Sequence, residues 1–119
     1  MTTIRRNVIY RPHGSIDWVY SDTDYTYSAS DTLVYDFSTQ NVDGFIVVAE
    51  SFRIDNTRNG SSIVAQIGAR LVKIPAYTDL FNPTEGTSEI LVSGNAGQIV
   101  TVNIYGRDIS ASKYVGGRR

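Results

Sequence analysis

The sequence predicts an all-β protein, two antiparallel sheets packed face to face as a β-sandwich, with a jelly roll preferred over an immunoglobulin-like Greek key. Three observations carry that expectation. Short runs rich in Val, Ile and Tyr recur along the chain, separated by clusters of Gly, Pro, Asn, Asp and Ser. Nine of the eleven basic residues are Arg and nine of the twelve acidic residues are Asp, while the helix formers Leu, Lys and Glu are scarce. About eight strands fit the chain with no convincing long helix, the count of a two-sheet antiparallel fold.

Taken in order, Thr3–Arg11 carries Ile4, Val8, Ile9 and Tyr10 among Arg5, Arg6 and Arg11, and reads as a first strand or an extended arm over residues 1–11. Pro12-His13-Gly14-Ser15 is a turn. Ile16–Tyr20 alternates, with Ile16, Trp18 and Tyr20 on one face. Ser21–Asp24 is a turn, Tyr25–Tyr27 a short strand, Ser28–Asp31 another turn, and Leu33–Phe37 alternates again. The stretch Gly44–Ile74 is expected to dominate the fold as a long hairpin. Its strands are Phe45–Ile54 and Ser62–Ile74, joined through Asp55–Gly60, which ends in the hairpin dipeptide Asn59-Gly60. A helix competes for the second run, because Ile63, Ile67, Leu71 and Ile74 also fit a helical stripe; its β-branched content favours the strand, with Gly68 a bulge or bend.

Pro75–Thr87 holds two prolines and is expected to be the longest irregular segment, pinned by Leu80 and Phe81. Ser88–Val92 is a strand, Ser93–Gly97 a second hairpin loop, and Gln98–Tyr105 a strand with Val100, Val102 and Ile104 on one face. Gly106-Arg107-Asp108 leaves the sheet, and residues 107–119 form a flexible basic tail.

Residues 1–119 are read as a single domain, enough chain to bury a core without staples. With no cysteine there is no disulfide framework, thiol nucleophile or thiolate metal site. A net charge of −1 gives no global attraction to nucleic acid or anionic membrane, and no apolar run approaches the ~20 residues of a membrane span. Met1-Thr2-Thr3-Ile4-Arg5-Arg6 lacks a signal peptide's apolar centre, which suggests synthesis and use without Sec export.

No catalytic set is visible, and the chain is read as a non-enzyme without cofactor or metal. The lone His13 sits in a turn, with no Gly-x-Ser-x-Gly elbow to accompany it. Asp17, Asp22, Asp24, Asp31, Asp36 and Asp43 crowd a stretch free of Lys and Arg. Turn formation explains them; Asp22, Asp24 and Asp31 as Ca²⁺ ligands, or a glycosidase carboxylate pair, are the alternatives, neither with diagnostic spacing. Trp18, Tyr20, Tyr25, Tyr27 and Tyr35 cluster in the same region. They serve as core and cross-strand packing, as a protein interface, or as a sugar-stacking platform built from Trp18, Tyr20, Tyr25 and Tyr27. Arg5, Arg6 and Arg11 precede the body, and Arg107, Lys113, Arg118 and Arg119 follow it. These read as solvated ends or as arms that order on a protein partner.

A plain Met start, no cysteine, no catalytic set, abundant Ser, Thr and Asn, Arg-bearing ends and a jelly-roll strand count together resemble the small jelly-roll decoration, or cement, proteins of tailed-phage capsids. The resemblance is one of architecture over the whole chain and rests on no motif. It implies a virion structural protein on the capsid surface, made in the host cytoplasm. Its partners would be the major capsid protein and itself, as a homodimer or homotrimer, with no small-molecule substrate, nucleic acid or membrane. Contacts are then expected from Arg5, Arg6, Arg11, Leu80, Phe81, Lys113, Tyr114, Arg118 and Arg119. A carbohydrate-binding β-sandwich module of a phage tail or host-recognition device is the alternative.

Overall fold

The computed structural model describes residues 2–6, 17–37 and 45–110. Within them lie nine strands: β1 (Thr2–Arg6), β2 (Asp17–Thr26), β3 (Asp31–Asp36), β4 (Phe45–Asp55), β5 (Ile63–Ile67), β6 (Arg70–Ile74), β7 (Asp79–Thr87), β8 (Glu89–Gly94) and β9 (Ile99–Ser110). There is no helix among the described residues. One sheet has five strands in the order β1-β3-β8-β5-β6, and the other four in the order β2-β9-β4-β7. The two pack as a β-sandwich, antiparallel in every pairing but one: β1 lies parallel to β3 at the edge of the five-stranded sheet.

The pairings are nested. β2 pairs with β9, β3 with β8, β4 with β7 and β5 with β6. That is one long antiparallel ribbon, folded so that β4 also meets β9 and β5 also meets β8. Consecutive strands therefore alternate between sheets, and only β5 and β6 are both consecutive and paired.

The expected central hairpin is not there. β4 and β5 lie in different sheets, so residues 56–62 cross the sandwich rather than turn back. The tight turn falls inside the second predicted run, at Gly68-Ala69, where Ile67 pairs with Arg70. Gly68 has φ +62° while Ala69 does not have positive φ, the pattern of a type II′ hairpin turn with glycine first. This turn resets the faces. Ile63, Ala65 and Ile67 point inward, and Leu71 points out.

Side-chain amides explain the failure of Asn59-Gly60 as a hairpin signal. Asn56 and Asn59 are buried. Asn59 Oδ1 accepts from the Ile99 backbone N–H at 2.8 Å, while its Nδ2 donates to the Ile99 carbonyl at 2.8 Å and to Asn56 Oδ1. Asn56 Nδ2 donates to the carbonyls of Pro75 (2.9 Å) and Ser61 (3.1 Å). Gln98 accepts from Asn95 N–H at 2.7 Å and donates to Ser61 Oγ at 2.8 Å. Three crossings, 56–62, 75–78 and 95–98, are thus stitched together at one end of the sandwich. Buried backbone groups must be paired, and here amide side chains stand in for a missing strand.

Other boundaries shift for local reasons. Ser21–Asp24 is no turn; β2 runs through it, with a register shift between Asp22 and Tyr25 and Asp24 at φ 52°. Ser93–Gly97 is not a hairpin loop, because β8 and β9 lie in different sheets. Most of the segment expected to be irregular is β7, an edge strand that tolerates Pro83 because an edge needs no N–H there. β9 continues past Tyr105 to Ser110, so residues 107–110 of the expected tail belong to the sheet, and 111–119 lie outside the described residues. Gly106 permits that extension: a Cβ there would lie 2.2 Å from the Trp18 ring and 2.3 Å from the Val48 carbonyl.

Alternation supplies the core. Leu33 and Tyr35 on β3, Phe52 and Ile54 on β4, Ile90 and Val92 on β8, and Val100, Val102 and Ile104 on β9 interdigitate between the sheets. The Tyr27 hydroxyl donates to the Val92 carbonyl at 2.6 Å, tying one sheet to the other.

Candidate functional site

The early aromatic cluster goes inward. Trp18 is 3% exposed, with its ring 4.6 Å from Phe37. Tyr27 is buried, and Tyr20 and Tyr25 pack against the core with part of each ring covered. Trp18, Tyr20, Tyr25 and Tyr27 therefore offer no exposed platform, which corrects the sugar site drawn from them. The Trp18 indole N–H has no hydrogen-bond partner among the described residues, so packing alone holds the ring. The hydroxyls of Tyr35 (2.9 Å) and Tyr20 (3.2 Å) both donate to Asp22 Oδ2. Burial, then the nearby Asp22 charge, push the Tyr35 phenol far above its ordinary range; burial does the same to Tyr27.

The early carboxylates diverge. Asp22 serves the two tyrosines, Asp24 pairs with Arg58 at 2.8 Å, and Asp31 is buried on β3. No group of three His, Cys, Asp or Glu gathers for a metal among the described residues, so Asp22, Asp24 and Asp31 do not form the Ca²⁺ set considered above.

Of the expected contact residues, Leu80 turns inward against the core and Phe81 outward, 59% exposed. Arg5 and Arg6 fall on the β1 edge strand. Arg11, His13, Lys113, Tyr114, Arg118 and Arg119 lie outside the described residues.

What the fold does expose is one face on each sheet. On the four-stranded sheet, register places Ser21, Asn103, Arg53 and Phe81 in one row and Val19, Tyr105, Ser51 and Pro83 in the next. Phe81 and the 39%-exposed Tyr105 meet diagonally across β4, their ring centroids 6.1 Å apart and tilted by 45°. The small side chain of Ser51 lies between Tyr105 and Pro83 in that register. Arg53 stands beside the rings. Its Nε and Nη2 fork onto the two oxygens of Asp79 at 3.0 and 2.8 Å, and Nη2 reaches Asp55 at 3.4 Å. The bond to Asp79 is the main cause raising the Arg53 pKa above its ordinary value. Asp55 is lowered, chiefly because the Thr57 hydroxyl donates to it, and the Thr57 backbone N–H donates to the same oxygen.

The five-stranded sheet presents a different surface. Its outer rows are Val34, Leu91, Gln66 and Leu71, then Thr32, Ser93, Val64 and Lys73; Val34 and Thr32 at the β3 end are buried, so the exposed part lies on β5 and β6. Leu71 is 70% and Val64 40% exposed, with Leu91 half-buried behind them. Three of the four edge strands carry features that blunt an edge: β2 bulges, β7 carries Pro83, and β6 carries Arg70 and Lys73.

Sequence reasoning found Phe81 but missed Tyr105, Arg53 and Asp79, which only the β4–β7–β9 register brings together. Gly68, expected as a bulge or bend within one strand, is instead the first residue of a tight turn that leaves Leu71 outward; a Gly-X pair between two β-branched runs was the available signal. No family model, no curated protein and no solved structure matches this chain.

Proposed function

We propose that this protein is a non-enzymatic virion structural protein, a capsid decoration protein that binds the outer shell and bridges neighbouring major capsid subunits, itself assembling as a homodimer or homotrimer. One observation carries the reading: exposed Leu71 and Val64, with half-buried Leu91 behind them, laid on a paired sheet rather than in a cleft. Large exposed apolar side chains grouped on one surface mark an interaction site, and a flat sheet face suits docking to another folded surface better than to a small molecule.

The nested pairing supports the jelly-roll form of the sandwich. Two interleaved Greek keys generate such a rolled ribbon, whereas immunoglobulin-like sheets place several consecutive strands side by side. Shell binding of this kind works by multivalency. Each copy makes a modest contact, and an oligomer on a repeating lattice holds the next copy at high effective concentration. The basic residues near the two ends of the chain, Arg5 and Arg6 on β1 among them, would add further contacts to the shell.

The test is co-sedimentation with empty capsids of the source virus, using the full chain, the Leu71→Asp variant, and a chain lacking residues 110–119. Saturable binding at a fixed ratio to capsid subunits, weakened by Leu71→Asp, is expected. Wild-type protein that stays in the supernatant at saturating shell concentration would contradict the proposal.

A further inference from the structure

The face on the four-stranded sheet has a chemistry the shell-binding proposal does not use. Its apolar part is aromatic, and its polar part is an ion pair already closed. Two carboxylates, Asp79 and Asp55, flank one guanidinium, so the cluster carries a net charge of about −1 and disfavours an anionic ligand. Arg53 stands beside Phe81 in the same row and already engages both carboxylates, so a cation over that ring meets a guanidinium and finds Asp79 and Asp55 partly compensated. What remains welcome is a neutral molecule with one flat apolar side and a rim of hydroxyl donors. A pyranose ring has that form: axial C–H groups on one face and hydroxyls around the edge.

The acceptors are fixed before any ligand arrives. The bidentate fork from Arg53 orients Asp79 and leaves oxygen lone pairs of that exposed carboxylate for a donor. Asn103 and Ser21 extend the polar margin along the Phe81 row, held by a 2.7 Å bond from Ser21 Oγ to Asn103 Oδ1. The two rings are tilted by 45° to each other across the small Ser51. Little ordering is needed on binding, because the aromatic rings have few rotatable bonds and the ion pair is preformed.

We propose that the outer face of the four-stranded sheet is a carbohydrate site for neutral sugars, with a pyranose stacking on Phe81 and Tyr105 and its hydroxyls donating to Asp79. The site is independent of the aliphatic face and of shell binding. It places the carbohydrate chemistry on residues other than the buried Trp18, Tyr20, Tyr25 and Tyr27.

Saturation-transfer NMR on the full chain tests this, with maltohexaose, cellohexaose, chitohexaose and mannohexaose as probes and hexagalacturonate as the anionic comparator. Transfer to at least one neutral oligosaccharide is expected, and hexagalacturonate is expected to bind more weakly. Phe81→Ala and Tyr105→Ala should each weaken that binding by about tenfold, as removal of a stacked ring implies, and Tyr105→Phe should retain most of it. Both side chains are exposed, so a thermal unfolding midpoint close to wild type separates a lost site from a lost fold. Transfer to none of the neutral probes, unchanged binding in the alanine variants, or preference for the anionic probe would each overturn the proposal. Shell sedimentation of the same variants is read in parallel. Since Phe81 and Leu71 lie on opposite faces, loss of one binding activity leaves the other measurable.

Discussion

The two outer faces of this sandwich share a core and differ in almost everything else. The five-stranded sheet turns out Leu71, Val64 and Leu91, aliphatic groups with Lys73 and Gln66 beside them. The four-stranded sheet turns out Phe81 and Tyr105 around a closed Arg53–Asp79 pair. Aliphatic surface on a flat sheet gains mainly from area removed from water and has little directional preference. Aromatic faces with fixed acceptors reward a ligand of particular shape and hydrogen-bonding pattern. Alternation along strands makes such a division possible, because changes on an outer face leave the inner face untouched.

The largest expected effect comes from a change that strikes both faces through the core. Gly106→Ala drives a methyl into the Trp18 ring and the Val48 carbonyl. A loss of about 3 kcal/mol in urea unfolding is expected, since backbone as well as side chain must move. Asn59→Ala comes next, at about 2 kcal/mol, because it strands the Ile99 N–H and C=O and Asn56 Oδ1 without their partner. Both lesions should weaken the two faces together; if one face kept its binding while the other failed, the shared-core view would need revision.

The buried phenols set a pH limit on that shared core. Tyr27 and Tyr35 have folded pKa values raised above the unfolded value near 10. Their contribution is fully present below pH ~10 and is lost as the unfolded chain ionises above it. Raising the pH from about 9 to 11 should cost roughly 2–3 kcal/mol in chemical unfolding, at up to about 1.4 kcal/mol per pH unit for each tyrosine. Tyr35→Phe should reduce that slope.

Smallest of all should be the stability effects on the faces themselves. Leu71→Asp and Phe81→Ala should stay within about 0.5 kcal/mol of wild type, since each side chain is largely in water already. Asp79→Ala should cost no more than about 1 kcal/mol, the range of an exposed ion pair. Thermal melts of the three variants check this. A large destabilisation at Leu71 would mean that the aliphatic face supports the fold instead of standing free.

Much of the interior was legible in the sequence because it depends on alternation. Val100, Val102 and Ile104, read as sharing one face, all point into the core, and Trp18 packs there with Tyr20. Connections were less legible. Asn59-Gly60 carries the local chemistry of a hairpin, yet long-range pairing put its flanking strands in opposite sheets and turned the asparagine into a buried clamp. Pro75–Thr87 looked irregular because proline is read as a breaker, a rule that relaxes at the β7 edge. The faces were half legible for the same reason. Phe81 stands out in sequence, but its neighbours come from β4 and β9 and are set by register, which no local signal encodes.

The most direct measurement crosses the two faces with the two ligands: wild type, Leu71→Asp and Phe81→Ala, each assayed against empty shells of the source virus and against the neutral oligosaccharide that wild type binds. Two separate sites require Leu71→Asp to lose shells and keep sugar, and Phe81→Ala to lose sugar and keep shells. A variant that folds normally yet loses both, or a pair that loses neither, would contradict the division of labour between the sheets.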